Sequence, residues 1–530
     1  MRNFNVKRYN IYSCITITNK EFQLCFDPAK IRDTDMERIV PDFIFISHES
    51  MDHMEPAQVY SLQKKKKAKI FCSIAATVDL IQAFPHDYEF IGSINTLIPG
   101  SKLRCENLLI EAQKSIHCDY MMPLIFKVSL IDEKISILHC FDSLISKEIS
   151  DFSKNTSLAV IPIGIAKGVS VDSGVEFMEK LHSKKFLTNH FKSTKELIEF
   201  SKISDNTKCV YLDWNQETEI SLPSVDMDFE ISVTKQFSKE SNYSNLMYML
   251  CNFNSICCDI INDEVFLQNL FAIYKTVTIQ NKAVLLFIYT LIGLLDSNKI
   301  SSYLLDDLKN DLTANISNEN NSLNTIILFF LGVYAQQAGQ VNFVNESLTL
   351  ANEKMEHLTY WVVQFLGRSI TANKQSANEI TEKFLKILSN SNIYNSVVVR
   401  RQIFWELYRI MKVIPSLTAK FVDIFEDGLT DVNPDVELLA VLCFGLANKV
   451  RKLTKVQLDK IFNLLNDPED DVRETVLRIV RNLHHLDYIF ENKGKLFDLI
   501  CDQNCHVGYQ AELTKSFVEV LNEKSDKTMV

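Results

Sequence analysis

Pro41-Asp42-Phe43-Ile44-Phe45-Ile46-Ser47-His48-Glu49-Ser50-Met51-Asp52-His53 is the stretch whose reading decides the fold. Phe43 to Ile46 is an apolar run of the length and composition of a buried strand. It breaks at once into a polar loop carrying His48, Asp52 and His53, three good ligands for a borderline metal. Ligating side chains placed where a core strand stops are what a site on the carboxyl edge of a sheet needs. Asp52 and His53 are neighbours, and in a tight loop neighbouring side chains reach toward different points. One short segment can therefore serve two metals.

Outward from this loop, the chain from Ile11 to about Trp214 alternates short β-type runs with helical segments. Ile11–Ile17 and Glu21–Phe26 read as paired strands around an Asn19-Lys20 turn, the second ending at Asp27-Pro28. After the loop, Pro56–Lys67 reads as a helix ending in Lys64-Lys65-Lys66-Lys67, where cations suit the helix dipole. Leu108–Lys114 is a strand that leads to Ser115-Ile116-His117. Phe126–Leu130 and Ile135–Leu138 form a hairpin that runs into His139-Cys140-Phe141-Asp142. Leu158–Gly164 is a buried strand ending in Pro162-Ile163-Gly164, Val175–Leu181 a helix, and Lys185–Phe191 a strand with His190 at its end.

The loop resembles the first metal motif of the metallo-β-lactamase fold superfamily, His-x-His-x-Asp-His. Here it reads His48-Glu49-Ser50-Met51-Asp52-His53, with Ser50 where the family has its second histidine. Phe141-Asp142 stands where the family has Gly-Asp. The order of strand, Pro162-Ile163-Gly164, helix and strand ending in His190 is similar to the last stretch of the ascorbate-lactonase-like branch. The resemblance implies an α/β domain over residues 1–225, an αββα sandwich, with a metal site made from separate strand ends. His48, Asp52, His53, His117, Asp142 and His190 are its implied ligands. Asp52 is also the implied catalytic residue, which would orient a water and accept its proton. Asp27 is implied to support the loop from behind, against the plainer reading of a strand-ending Asp-Pro turn. One metal position keeps Asp52, His53, Asp142 and His190; the other keeps His48 and His117 but has a serine hydroxyl in place of an imidazole. One or two divalent ions are expected, zinc first, with manganese or iron as alternatives.

From about residue 240 the texture changes to period 3.6. Glu264–Tyr274, Lys282–Asp296, Asn324–Ala338 and Leu358–Ala372 are apolar amphipathic helices, divided by polar joints such as Asn315–Ser322. Val399-Arg400, Val436-Glu437, Val472-Arg473 and Val507-Gly508 each open a long helix, at intervals of roughly 36 residues. Asn433-Pro434-Asp435-Val436 and Asp467-Pro468-Glu469-Asp470-Asp471-Val472 resemble the helix starts of HEAT-type repeats. Residues 240–525 are therefore expected to form an all-α, HEAT-like solenoid. Such units bury their apolar faces only by stacking.

Composition bounds the rest. The 530 residues carry Lys+Arg 56 against Asp+Glu 67, a net charge of −11, so nucleic acid is not an expected partner. The thirteen cysteines show no framework spacing and fit a reducing cytoplasm. No uncharged run of about 18 apolar residues is present, so no membrane span is expected. The sequence thus points to a metal-dependent hydrolase acting on an ester, lactone or phosphoester, with a helical-repeat part that recruits a small-molecule or peptide substrate or a protein partner. The alternative is a non-catalytic binding protein with a degenerate metal site.

Overall fold

The structure is a computed structural model that describes residues 2–116, 121–164, 170–191, 194–204, 207–226, 242–314, 321–341, 343–351 and 355–528. His117 and the joint at 315–320 lie outside them. The chain divides into two compact units, Met1–Lys299 and Ile300–Val530.

The first unit is built on β1 (Arg2–Arg8), β2 (Ile15–Thr18), β3 (Gln23–Phe26), β4 (Phe43–Ile46), β5 (Lys69–Ser73), β6 (Ile94–Leu97), β7 (Lys102–Cys105), β8 (Leu108–Lys114), β9 (Leu124–Leu130), β10 (Ile135–His139), β11 (Thr156–Pro162), β12 (Ser183–Asn189), β13 (Cys209–Val210) and β14 (Glu217–Leu222). They form two seven-stranded sheets, in the orders β14-β1-β2-β3-β4-β5-β6 and β13-β12-β11-β10-β9-β8-β7. Each sheet is mixed. The strands from β14 to β3 and from β7 to β10 pair antiparallel, while β3 to β6 and β10 to β13 pair parallel. The division follows the connections. Antiparallel neighbours other than β14 and β1, which lie at opposite ends of this stretch of chain, follow one another directly in sequence, whereas each parallel step carries a crossover helix, such as Pro56–Lys66, Ile74–Ala83 or Val171–Lys180. Strands covered on both faces should be apolar throughout, and β4 and β11 are buried at every position.

The sheets meet through aromatic rings. Phe26, Phe45 and Phe71, on three adjacent strands, stack at centroid distances of 5.0 and 5.3 Å, and Phe45 touches Phe126 of the other sheet at 5.6 Å. Fully burying such a ring contributes about 1.5–3 kcal/mol. This core holds the carboxyl ends of β3, β4, β10 and β12 along one rim.

Two local expectations change. Ile11 to Cys14 are not strand: Arg8, buried, donates to the carbonyls of Ile11 at 2.5 Å and Phe191 at 3.2 Å and bends this segment toward the rim. The amino-terminal residues form β1, which lies between β14 and β2.

The change of texture near residue 240 marks the onset of helix, while the first compact unit continues to Lys299. Helix Asn242–Asn262 packs on β6, with Asn254 Nδ2 donating to the Ile94 carbonyl at 3.1 Å. Helix Ile279–Leu295 packs in turn on Asn242–Asn262 and on Ile74–Ala83. Among the described residues, no helix is long and apolar enough to cross a membrane.

The second unit is helical. Asn321–Ala338, Glu356–Ala372, Val397–Val413, Pro434–Ala447, Asp470–Val480 and Cys505–Thr528 form a series in which each packs on the next. An aspartate precedes each of the last three and accepts the backbone N–H two residues on: Asp431 from Asn433, Asp467 from Glu469 and Asp502 from Asn504, at 2.8–2.9 Å. Two of these aspartates also receive an arginine from the preceding long helix. Arg400 grips Asp431 with bonds of 2.8 and 3.0 Å, and Arg473 grips Asp502 with two of 3.0 Å. Such forked pairs fix orientation between successive helices.

At the middle joint Glu437 occupies the corresponding place and meets Asp467. Burial, then the Asp467 carboxylate, pushes the Glu437 carboxyl up to about 7. A carboxyl whose folded pKa lies above its unfolded value gives stability that is present in acid and is lost as pH rises through about 7. Glu437→Gln, which keeps a donor for Asp467, should therefore raise the melting temperature by about 2 °C at pH 8.5 and leave it unchanged at pH 5 in thermal denaturation.

Candidate metal centre

The rim is organised by Asp27, which ends β3 in a left-handed conformation with φ 43°. Its carboxylate crosses to the loop after β4. Oδ1 accepts the Ser47 N–H at 2.8 Å, and Oδ2 accepts the Ser47 hydroxyl at 2.9 Å and His53 Nδ1 at 2.5 Å. Ser47 Oγ also lies 2.9 Å from His48 Nδ1. The loop then folds into a turn, with His53 and Met54 N–H groups bonded to the Ser50 carbonyl, before Pro56 starts a helix. With Nδ1 held by Asp27, His53 presents Nε2 to the interior of the rim.

Around His53 Nε2 lie Asp142 Oδ2 at 3.4 Å, Asp52 Oδ2 at 3.5 Å and His190 Nε2 at 3.3 Å. His48 Nε2 is 3.8 Å from the same Asp142 oxygen. Two groups of metal-ligand type result, His48-His53-Asp142 and Asp52-His53-His190, which share His53. Nitrogen and oxygen ligands about 2.0–2.1 Å from a tetrahedral ion stand about 3.3–3.4 Å from one another. The contacts to His53 Nε2 are near that spacing, so each of the two groups, His48-His53-Asp142 and Asp52-His53-His190, could hold a cation.

The charges agree. Burial works against the His53 cation, yet Asp142, Asp52 and Asp27 surround it and hold its pKa well above the usual range. Burial also opposes the Asp52 carboxylate, but His53, Lys30 and the Ser50 hydroxyl hold it well below the usual carboxylate range. Burial, then His53, brings His190 down to about 4, so this imidazole is neutral. Burial pushes Asp27 up to about 6, against the pull of His53 and Ser47. A proton on His53 thus stands where a cation would balance the carboxylates.

Each remaining ligand is set by its own support. His190 follows β12 with φ 52°. Its N–H bonds to the Tyr12 carbonyl at 3.2 Å, and its Nδ1 faces the Gly164 carbonyl at 3.4 Å, which leaves Nε2 for the rim. Asp142 follows β10 across Phe141, which takes φ 53° where a glycine would adopt it freely. His139 makes this turn tolerable. Its Nδ1 accepts the Phe141 N–H at 3.0 Å, and its ring stacks on Phe141 at 4.0 Å with Phe26 on another side. Burial drives the His139 pKa well below normal, so the ring is neutral, a brace and not a member of the ligand groups.

The sequence-derived set is therefore placed as follows. His48, Asp52, His53, Asp142 and His190 come together; His117 lies outside the described residues. Ser50 donates its hydroxyl to Asp52 Oδ1, so it supports a neighbouring carboxylate in the position the family gives to an imidazole. Three supports escaped the sequence reading: Ser47, the Gly164 carbonyl and the Tyr12 carbonyl. The serine between a core strand and a histidine was the legible signal; backbone carbonyls leave none.

No family model and no curated protein matches the chain. Solved structures do align with it. One is Igni18, a metallo hydrolase from the archaeon Ignicoccus hospitalis, at 16% identity over 41% of this chain and 99% of that one, TM-score 0.35. Another is YhfI from Bacillus subtilis, described as a metallo-beta-lactamase fold protein, at 16% identity over 41% and 100%, TM-score 0.34. A third is the short form of human tRNase Z, at 11% identity over 41% and 99%, TM-score 0.33. The functional reading rests on the rim itself.

Replacing Asp27 by Asn would offer His53 Nδ1 a donor and drive the proton to Nε2, where it blocks the ligand lone pair. Asp27→Asn should weaken divalent-metal affinity about 10–100-fold in chelator-competition titrations. With the native residue, metal binding should release a proton, and affinity should fall as pH is lowered.

Proposed function

We propose that this chain is a metal-dependent hydrolase whose ion is held by Asp52, His53, Asp142 and His190, with His48 beside it. The observation that carries this reading is the convergence of three ligand atoms on His53 Nε2 at 3.3–3.5 Å, from strand ends far apart in sequence. Zinc suits a nitrogen- and oxygen-rich set of this kind, and manganese or iron would also be accepted. His117 would complete the position that His48 begins. A divalent ion here supplies an acidified water and a polarised substrate oxygen. The chain's own residues do the rest. Asp52, ionised and 28% exposed in its side chain, orients the attacking water and takes its proton. Ser50 fixes the other Asp52 oxygen. Asp27, through His53, keeps the ligand ring from turning.

The substrate would be an ester, lactone or phosphoester. The second unit is read as a HEAT-like solenoid that recruits the substrate or a protein partner, supported by its serial helix packing and repeated aspartate-started helices. A cytoplasmic location is supported by cysteines that form no disulfide among the described residues. A non-catalytic binding protein is the second reading, favoured by Ser50, whose hydroxyl is turned to Asp52.

Protein purified without chelators should contain about one equivalent of divalent metal by elemental analysis. His190→Ala should lose that metal, together with any hydrolysis of a phosphodiester, lactone and β-lactam panel. Metal-free protein that is inert on the whole panel would favour the binder.

A further inference from the structure

The side of the site that faces outward carries a lysine. Lys30 follows Asp27-Pro28-Ala29 in a left-handed conformation, φ 49°, and is half-buried. Its Nζ donates to the Tyr12 hydroxyl at 2.8 Å and stands 4.2 Å from the centre of that ring. The same ring meets His190 edge-on, with centroids 5.9 Å apart. The ammonium and the ligand imidazole therefore share one buried phenol between them. Asp52 is the exposed member of the ligand set, at 28%, against 4% or less for His48, His53 and Asp142. Among the ligand residues described, Asp52 is the one through which the rim meets solvent.

Charge then selects among substrates. The carboxylates of Asp27, Asp52 and Asp142 carry three negative charges into a rim whose imidazoles are all neutral once a cation has displaced the proton on His53. One divalent ion leaves one of these uncancelled, and Lys30 removes it. An ester or lactone, neutral at its reacting centre, gains little from such a residue. A phosphoester would bring a negative oxygen to this rim, where the Lys30 ammonium, whose charge already acts on Asp52, would lower the cost of approach.

We infer that Lys30, held by Tyr12, recognises an anionic phosphoryl oxygen, and that the substrate class is a phosphoester. This rests on the metal-dependent reading above. Lys30 is then a specificity-determining residue and is not itself a member of the ligand groups.

The test uses the full chain loaded with Mn2+, inorganic phosphate as the probe, and paramagnetic broadening of the phosphorus resonance as the readout, with acetate followed in parallel by its carbon resonance. Lys30→Met should still load fully with Mn2+ but bind phosphate about tenfold more weakly. Lys30→Arg, which keeps the charge, should restore phosphate binding to within about threefold. Lys30→Gln replaces Lys30→Met if the latter loses its circular-dichroism signature. Full Mn2+ loading with phosphate affinity unaffected by Lys30→Met would overturn the inference and leave the metal site standing. Acetate bound as tightly as phosphate, with the same dependence on Lys30, would overturn the phosphoester assignment. Failure of the parent protein to bind Mn2+ would overturn the metal reading and the inference with it.

Discussion

One buried carboxylate holds the site together. Asp27 spans from the end of β3 to the loop after β4, where it takes a backbone N–H, a hydroxyl and an imidazole N–H at once. A carboxylate stripped of water is costly unless such donors meet it. The price is met here because the three donors come from two residues, Ser47 and His53, that the loop must present in any case. Their geometry fixes which nitrogen of His53 faces the interior, and the neighbouring ligands are arranged about that nitrogen.

The same logic explains the backbone around the rim. Asp27, Lys30, Phe141 and His190 are all left-handed although none is glycine. Such conformations cost on the order of 1 kcal/mol each and persist where the surroundings over-determine them. Here the surroundings are identifiable. His139 holds Phe141, the Tyr12 carbonyl and buried Arg8 hold the segment at His190 and Phe191, and the donors on Asp27 hold its own turn. Side chains thereby leave the ends of extended strands and turn inward toward a shared point.

Much of this was legible because it depends on local chemistry. Phe43–Ile46 is apolar at each position, so it had to be buried on both faces, and the ligands after it had to sit at a sheet edge. Asp142 and His190 also follow core runs, and Asp27 follows a strand. The helix start at Pro434 announces itself through Asn433, whose side chain accepts the N–H groups of Asp435 and Val436. What sequence could not show depends on partners distant in the chain. A phenylalanine at position 141 predicts no left-handed turn until His139 is stacked on it. Ile11 looks like strand until Arg8 bends it away. The helical texture after residue 240 gives no sign that Asn254 bonds to β6 and extends the first compact unit to Lys299. Glu437 is an ordinary helix residue until Asp467 is placed against it.

The most direct test of the central claim, that one cation sits among these strand ends, is an anomalous difference map from crystals of the protein grown with Zn2+ and measured above and below the zinc edge. The account predicts a peak bonded to His53 Nε2, His190 Nε2 and oxygens of Asp52 and Asp142, about 2.0–2.2 Å from each. A fully Zn2+-exposed crystal with no peak there, or with zinc bound only elsewhere on the surface, would contradict it.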